Sequence, residues 1–256
     1  MSISSGNIKV DIILPNYNSE LYLSETIDSI INQTFKNWKL IIVDGNSNFE
    51  TQKILDYYSH NSNIKIIRLK RNKKAGFCRN LALRNSKSEY VAFIDSDDIW
   101  DKEKLSKQIN FMIKNKYHFT YTNYTPFKSE KIKNNFSEIK PDKYFDFKKF
   151  IKNTSIATST MIINRALIAN IKFSKTKICE DYFFKCQVLK TVKFAYCLSE
   201  NLMKYRVRQD SLQSNKLRNI YWIWYINKKY NKMSFFNNII SIFFISFNSL
   251  KKYGFK

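Results

Sequence analysis

The chain of 256 residues has only four glycines, Gly6, Gly45, Gly76 and Gly254, and three prolines, Pro15, Pro126 and Pro141. A Walker phosphate loop or a dinucleotide fingerprint needs clustered glycines. No two of these lie near each other, so both are excluded, as are collagen-like and linker architectures. Arginine is scarce as well: only Arg68, Arg71, Arg79, Arg84, Arg165, Arg206, Arg208 and Arg218 stand among 44 basic residues. Bidentate reading of guanine depends on the arginine fork, so a lysine-dominated surface argues against a sequence-specific DNA reader. The four cysteines, Cys78, Cys179, Cys186 and Cys197, form no C-x-x-C pair. That argues against a zinc site or a disulfide framework and fits a reducing compartment. Met1 to Val10 hold no long apolar run, so no signal peptide is expected and the expected location is the cytoplasm.

Acids number 21 against those 44 bases, giving a formal net charge of +23. Such a surface suits diffuse attraction to phospholipid headgroups or phosphate backbones. Abundant Lys, Asn and Ile also match an AT-rich coding bias, which accounts for part of the excess. With 44% hydrophobic and 16% aromatic residues there is ample core material, and global disorder is excluded.

Val10 to Leu14 is a short apolar run closed by Pro15-Asn16-Tyr17-Asn18, a strand ending in a turn. Residues 19–33 have helical spacing, with Leu23, Ile27, Ile30 and Ile31 on one side and acids on the other. Leu40–Val43 reads as a second strand, 50–59 as a helix, Ile64–Arg68 as a third strand, Gly76 to Asn85 as a helix and Tyr90–Ile94 as a fourth strand. Near-continuous apolar strands alternating with amphipathic helices predict an α/β fold around a buried, mostly parallel sheet. In such sheets ligands bind beyond the carboxyl ends of the strands. Three of those ends carry Pro15–Asn18, Asp44–Ser47 and Asp95–Asp98. Further on, 128–149 reads as an exposed loop or lid, Ile156–Ile163 as a strand, Cys179–Leu189 as a helix opening on Glu180 and Asp181, and Phe194–Tyr205 as a strand region.

Asp95-Ser96-Asp97-Asp98 places three carboxylates within four residues. They repel one another, and a divalent cation bound with a ligand diphosphate resolves the conflict. A solvated turn capping a helix is the simpler alternative for the same residues. Asp11–Asn18, Ser29–Thr34, Leu40–Ser47, Gly76–Asn80, Tyr90–Trp100, Glu180-Asp181 and Tyr205-Arg206 share an order and spacing. In these pieces, which span about residues 8–210, the chain resembles the family 2 glycosyltransferases, inverting nucleotide-sugar enzymes with a GT-A fold.

The resemblance implies a Rossmann-like sheet flanked by helices and a catalytic domain over 1–216. Residues 8–115 would form its nucleotide-binding half, 116–216 its acceptor-side half, and 217–256 a helical tail. It implies roles position by position. Pro15 and Tyr17 lie at the nucleotide, Tyr17 stacking on the base, and Asp44 accepts a base or ribose hydrogen bond. Lys74 and Arg79 face nucleotide and phosphates, Asp95 contacts ribose or sugar, and Asp97 binds the metal, Mn²⁺ or Mg²⁺. Asp181 is the general base for the acceptor hydroxyl, with Glu180 in support. Two positions depart from the pattern. Asp44-Gly45 stands where many members have two adjacent acids, and Arg208 where many have a histidine after the Tyr-Arg pair. A guanidinium ligates no metal but clamps a diphosphate, so Arg208 is expected at the donor.

Beyond Leu217, Tyr221, Trp222, Trp224 and Tyr225 precede Lys228, Lys229 and Lys232, and Phe235 to Leu250 is strongly apolar. That stretch is too short and polar to span a bilayer. Phe236, Ile239, Ile240, Phe243, Phe247 and Leu250 share one helical face, followed by Lys251 and Lys252. An interfacial helix on an anionic leaflet fits this pattern. So does a helix packed on the catalytic domain or in a homodimer. The expected function is transfer of a sugar from a nucleotide-sugar donor of the UDP class to a glycan or lipid-linked acceptor in surface-polysaccharide biosynthesis, on the inner face of the plasma membrane. A nucleotidyltransferase is the rival enzyme, but the chain lacks a Gly-rich loop after its first strand. A nucleic-acid-binding protein explains the charge but leaves the strand-end aspartates without a purpose.

Overall fold

The computed structural model describes residues 8–128, 136–208 and 216–253. The apolar runs of the first half become β1 (Val10–Asn16), β2 (Trp38–Asp44), β3 (Ile64–Arg68) and β4 (Tyr90–Phe93), alternating with α1 (Leu23–Ile31), α2 (Phe49–Tyr58) and α3 (Ala75–Asn85). These strands pair in parallel in the order β3-β2-β1-β4. The chain leaves β1 toward β2 on one side and returns to β4 on the other, so the switch point lies at the carboxyl end of β1.

The second half contains β5 (Ile99–Trp100), α4 (Lys104–Asn115), β6 (Phe119–Phe127), β7 (Tyr144–Phe145), α5 (Phe147–Phe150), β8 (Ile162–Asn164), α6 (Glu180–Val192) and β9 (Ala195–Arg206). The tail forms α7 (Lys216–Lys229) and α8 (Phe235–Tyr253). The sheet continues β4-β8-β6-β9-β5, with β7 on β9. Parallel pairing holds across β1–β4 and between β6 and β9, while β8, β5 and β7 pair antiparallel with their neighbours. The sheet is therefore mostly parallel in its long ladders, with short antiparallel strands added in the second half.

Successive residues of a strand point to opposite faces, and both faces here are covered. Ile13, Ile41, Val43, Val91 and Phe93 pack with α3, α6 and the tail, whereas Ile12, Leu14, Leu40, Ile42 and Ala92 pack with α1, α2 and α4. Two expectations change. Within 128–149, residues 129–135 lie outside the described residues, but 144–150 are no lid: Phe145 and Phe150 are buried in the core cluster and order β7 and α5. Within 156–163 only Ile162 onward is a strand. Thr158–Thr160 is a 3₁₀ turn, because its hydroxyls bond across to the site described below.

Candidate active site

The β1 and β2 ends are locked together before any ligand is considered. Asp44 is fully buried and accepts from Asn16 Nδ2 at 2.7 Å, Gln52 Nε2 at 2.7 Å and the Ser47 backbone N–H at 3.0 Å. Asp44 thus shapes the turn that joins the ends of β1 and β2. Gly45 follows for steric reasons. A Cβ there would lie 2.9 Å from the Lys73 carbonyl oxygen and 3.3 Å from that of Asn16, so the second acid seen in many relatives has no room. Pro15 is buried in β1, whereas Tyr17 presents a ring 47% exposed at the open edge, free to stack on a planar ligand. Lys74 is exposed at the N-cap of α3.

The β4 end carries the carboxylate cluster, and its members differ in environment. Asp98 turns inward, almost fully buried, and accepts from Ser159 Oγ at 2.5 Å and from the Arg206 backbone N–H at 2.9 Å. Ser159 also accepts the Asp95 N–H at 3.0 Å, so the 3₁₀ turn fixes the cluster's backbone. Asp95 and Asp97 keep side chains 34% and 18% exposed. Burial, and then the neighbouring Asp95 charge, push the Asp97 carboxyl up to about 6. Arg208 Nε stands 3.0 Å from Asp97 Oδ2, at ion-pair distance but off the hydrogen-bond direction. Its neighbour Arg206 bonds the Asp97 carbonyl at 2.7 Å, pairs with Glu25 and lies over the Tyr22 ring at 4.6 Å.

The α6 end supplies the other pair of acids. Glu180 accepts from Arg79 Nη1 at 2.9 Å, and Arg79 Nη2 reaches Asp95 Oδ1 at 2.6 Å. Arg79 itself is 5% exposed. Expected to face the phosphates, it is instead enclosed, with both terminal nitrogens engaged, and joins the β4 cluster to α6. Asp181 lies beside it, 2.8 Å from Lys185 Nζ and 3.3 Å from Thr158 Oγ1. Burial alone would raise the Asp181 carboxyl. The Lys185 ammonium, helped by Arg79, outweighs it and holds the group down at about 2. Asp181 is therefore ionised at neutral pH, with its proton affinity below that of an ordinary carboxylate.

The structure thus gathers Asp44, Tyr17 and Lys74 at the β1–β2–α3 edge, and Asp95, Asp97, Arg208, Arg79, Glu180 and Asp181 around β4 and α6. Lys185, Ser159 and Thr158 were absent from the sequence reading. The i,i+4 spacing of Asp181 and Lys185 was the available signal for the first, and the hydroxyl turn gives none. A cation fits at Asp97: Mg²⁺ commonly uses one or two carboxylates and completes its shell with water and phosphate, and an ionised Asp97 beside Asp95 lacks full compensation. Among the described residues there is no cluster of three or more His, Cys, Asp or Glu side chains that could hold a metal ion by themselves.

The profile of glycosyl transferase family 2 matches residues 11–171. WfgD of Escherichia coli, a UDP-Glc:α-D-GlcNAc-diphosphoundecaprenol β-1,3-glucosyltransferase, is 34% identical over 84% of this chain and 83% of its own. TuaG of Bacillus subtilis, a glycosyltransferase assigned to teichuronic acid biosynthesis, is 31% identical over 88% of this chain and 90% of its own. Among solved structures, S. aureus TarS 1–349 with UDP-GlcNAc superposes with a TM-score of 0.72 at 22% identity, covering 95% of this chain and 73% of that one. Against the longer TarS chain the coverage is 44% of that chain. The shared fold is GT-A.

Proposed function

The chain belongs to glycosyl transferase family 2, and from that premise we propose that it moves a sugar from a UDP-linked donor to a lipid-linked glycan during surface-polysaccharide assembly. The observation that carries the reading is the Arg79 bridge, which holds the donor-side carboxylate Asp95 and the acceptor-side carboxylate Glu180 on one guanidinium. Donor and acceptor chemistry therefore meet in one cleft.

In this reading Tyr17 stacks on the base, Asp44 and its turn hold the nucleoside, and Lys74 lies toward the phosphates. Asp97, with Asp95 beside it, holds the divalent cation that enzymes of this fold commonly use. Bound there, a cation would supply neutralisation of the charge on the departing diphosphate. Arg208 leaves Asp97 for the diphosphate when the donor arrives, its guanidinium suited to a bidentate clamp. Asp181 accepts the proton of the acceptor hydroxyl while that oxygen bonds to the anomeric carbon from the face opposite the leaving diphosphate. Lys185 keeps Asp181 ionised and oriented, and Glu180 with Arg79 fixes the start of α6.

The tail supports a membrane-surface location for this reaction. One face of α8 packs on the domain: Asn238, Ser241 and Ile245 are buried, and Ser241 Oγ donates to the Ile151 carbonyl at 2.5 Å. The opposite face leaves Phe236 76%, Phe243 64% and Phe247 57% exposed, with Ile239 and Ile240 between them. The packing on the catalytic domain is thus present on one side of the helix, and the other side is left bare. No described helix is long and apolar enough to cross a membrane. The bare face and the net charge of +23 suit an anionic leaflet.

The decisive experiment measures transfer from UDP-glucose and UDP-N-acetylglucosamine to a GlcNAc-diphosphate-lipid with Mn²⁺ or Mg²⁺. Activity that needs a cation and disappears in Asp97→Ala and Asp181→Ala supports the reading. Full activity in either variant removes that residue from its role. For the tail, Phe236→Ser/Phe243→Ser/Phe247→Ser should abolish flotation with phosphatidylglycerol vesicles without changing the folded spectrum. Unchanged flotation, or a wild-type dimer that this variant dissociates, rejects the membrane assignment.

A further inference from the structure

Two connecting segments adjoin α3: residues 69–75 lead into it, and residues 169–179 lie against it. They carry Lys70, Arg71, Lys73, Lys74, Lys172, Lys175 and Lys177 and contain no acid. All seven side chains are exposed, and none makes an ion pair among the described residues. Asn80 Nδ2 donates to the Phe173 carbonyl at 2.9 Å, the Phe173 N–H returns to Asn80 Oδ1 at 2.8 Å, and a Cβ on Gly76 would lie 3.3 Å from the Ser174 carbonyl oxygen.

The second segment is anchored by its apolar members. Phe173, Thr176 and Ile178 are buried, and Phe173 stacks on Phe184 with centroids 4.0 Å apart. Burial alternates with exposure from 175 to 178, so Lys175 and Lys177 project outward together as in a strand. The segment then runs directly into Glu180 and Asp181. A row of lysines without counter-charges is held against its own repulsion next to the reacting carboxylates, and a compact polyanion relieves that repulsion. Lysine binds phosphate as a point charge, without the geometric demands of arginine.

We propose that Lys172, Lys175 and Lys177 form the seat for the diphosphate of the acceptor. This inference rests on the lipid-linked reading of the acceptor. The donor diphosphate would be met by Arg208 and by the cation that Asp97 would hold, at the β4 end. The three lysines belong to the segment that leads directly into Glu180 and Asp181, the latter the base for the acceptor hydroxyl in this reading. An acceptor sugar joined to a lipid through a diphosphate carries its charge close to that hydroxyl.

The test uses the full chain and its Lys172→Gln/Lys175→Gln/Lys177→Gln variant with two soluble acceptors, GlcNAc-diphosphate on a short alkyl chain and GlcNAc on the same chain without phosphate. The variant should raise KM for the diphosphate acceptor at least about tenfold and leave the neutral acceptor and donor KM unchanged. An equal rise for both acceptors, no rise for either, or a rise in donor KM overturns the proposal. Loss of vesicle flotation with acceptor KM intact assigns the lysines to lipid headgroups and also overturns it. Should neither acceptor be glycosylated by the wild-type chain, the lipid-linked reading itself fails. The seat is then judged by farnesyl diphosphate binding in saturating UDP: binding that the variant loses upholds it, and no binding by the wild type ends it.

Discussion

Asp97 and Asp181 are both largely enclosed carboxylates with a cationic side chain at ion-pair distance, yet their protons are held in opposite ways. Asp97 is pushed up to about 6 by burial and by Asp95, with Arg208 only partly offsetting them. Asp181 suffers burial too but is held at about 2 by Lys185 and Arg79. The difference lies in the partner. Lys185 is itself buried and hydrogen-bonded at 2.8 Å, whereas Arg208 is more exposed and misaligned. In the proposed mechanism the base, Asp181, is kept charged by a dedicated ammonium at some cost in basicity. The proposed cation ligand, Asp97, is left short of compensation, a state that a cation would relieve.

The most severe way to test this contrast is Asp181→Asn, which should lower kcat by about 10²–10⁴-fold with donor affinity unchanged. Steady-state kinetics with donor titration separate the two. Asp97→Asn should lower kcat/KM by about 10²–10³-fold while stabilising the cation-free protein above pH 6. A carboxyl whose folded value is raised favours folding less once ionised, so removing its charge should raise Tm by a few degrees. A lowered Tm at pH 8 would contradict the account.

Lys185→Met should move the acid limb of the kcat/KM profile. In the wild type Asp181 stays ionised down to about pH 2, so its stabilising contribution is present above its unfolded value near 4 and disappears between about 4 and 2. Without the ammonium, burial dominates and the limb shifts upward past the ordinary carboxylate range. Lys185→Arg should restore much of the wild-type profile, which a merely structural lysine would not require. The smallest effect is expected from Arg208→Ala, a rise in donor KM of up to about tenfold. Unchanged donor kinetics would remove Arg208 from the site.

The first half of the fold was legible because both faces of β1, β2 and β4 are buried, which leaves uninterrupted apolar runs. β3 was found to the residue. The second half hid its elements for physical reasons. β6 (Phe119–Phe127) is written with threonines, tyrosines and Asn123, polar groups satisfied inside the fold: Gln108 Nε2 donates to Thr120 Oγ1 at 3.0 Å and Tyr121 Oη to the Asp142 carbonyl at 2.5 Å. No apolar run announces such a strand. The α4 helix, with its fully buried Lys104, was likewise passed over. In the site, the residue types came from motif order, but enclosure did not. Nothing in Gly76–Asn80 shows that Arg79 faces inward, and nothing local to Asp181 shows which cation sets its proton affinity.

The tail looked separable in sequence, with a change of composition at Leu217. Inside the fold its hub is the Asn227 carboxamide, fully buried. It accepts from Tyr182 Oη at 2.7 Å and donates to Asn238 Oδ1 and Ser241 Oγ at 3.1 Å each. Tyr182 is the residue after Asp181. One amide therefore ties α6, α7 and α8 together, from the outermost helix to the residue beside Asp181. Deleting the tail would strip the Tyr182 hydroxyl of its partner, so if Asp181 is the base as proposed, a shortened chain would lose catalysis along with any attachment that the tail provides.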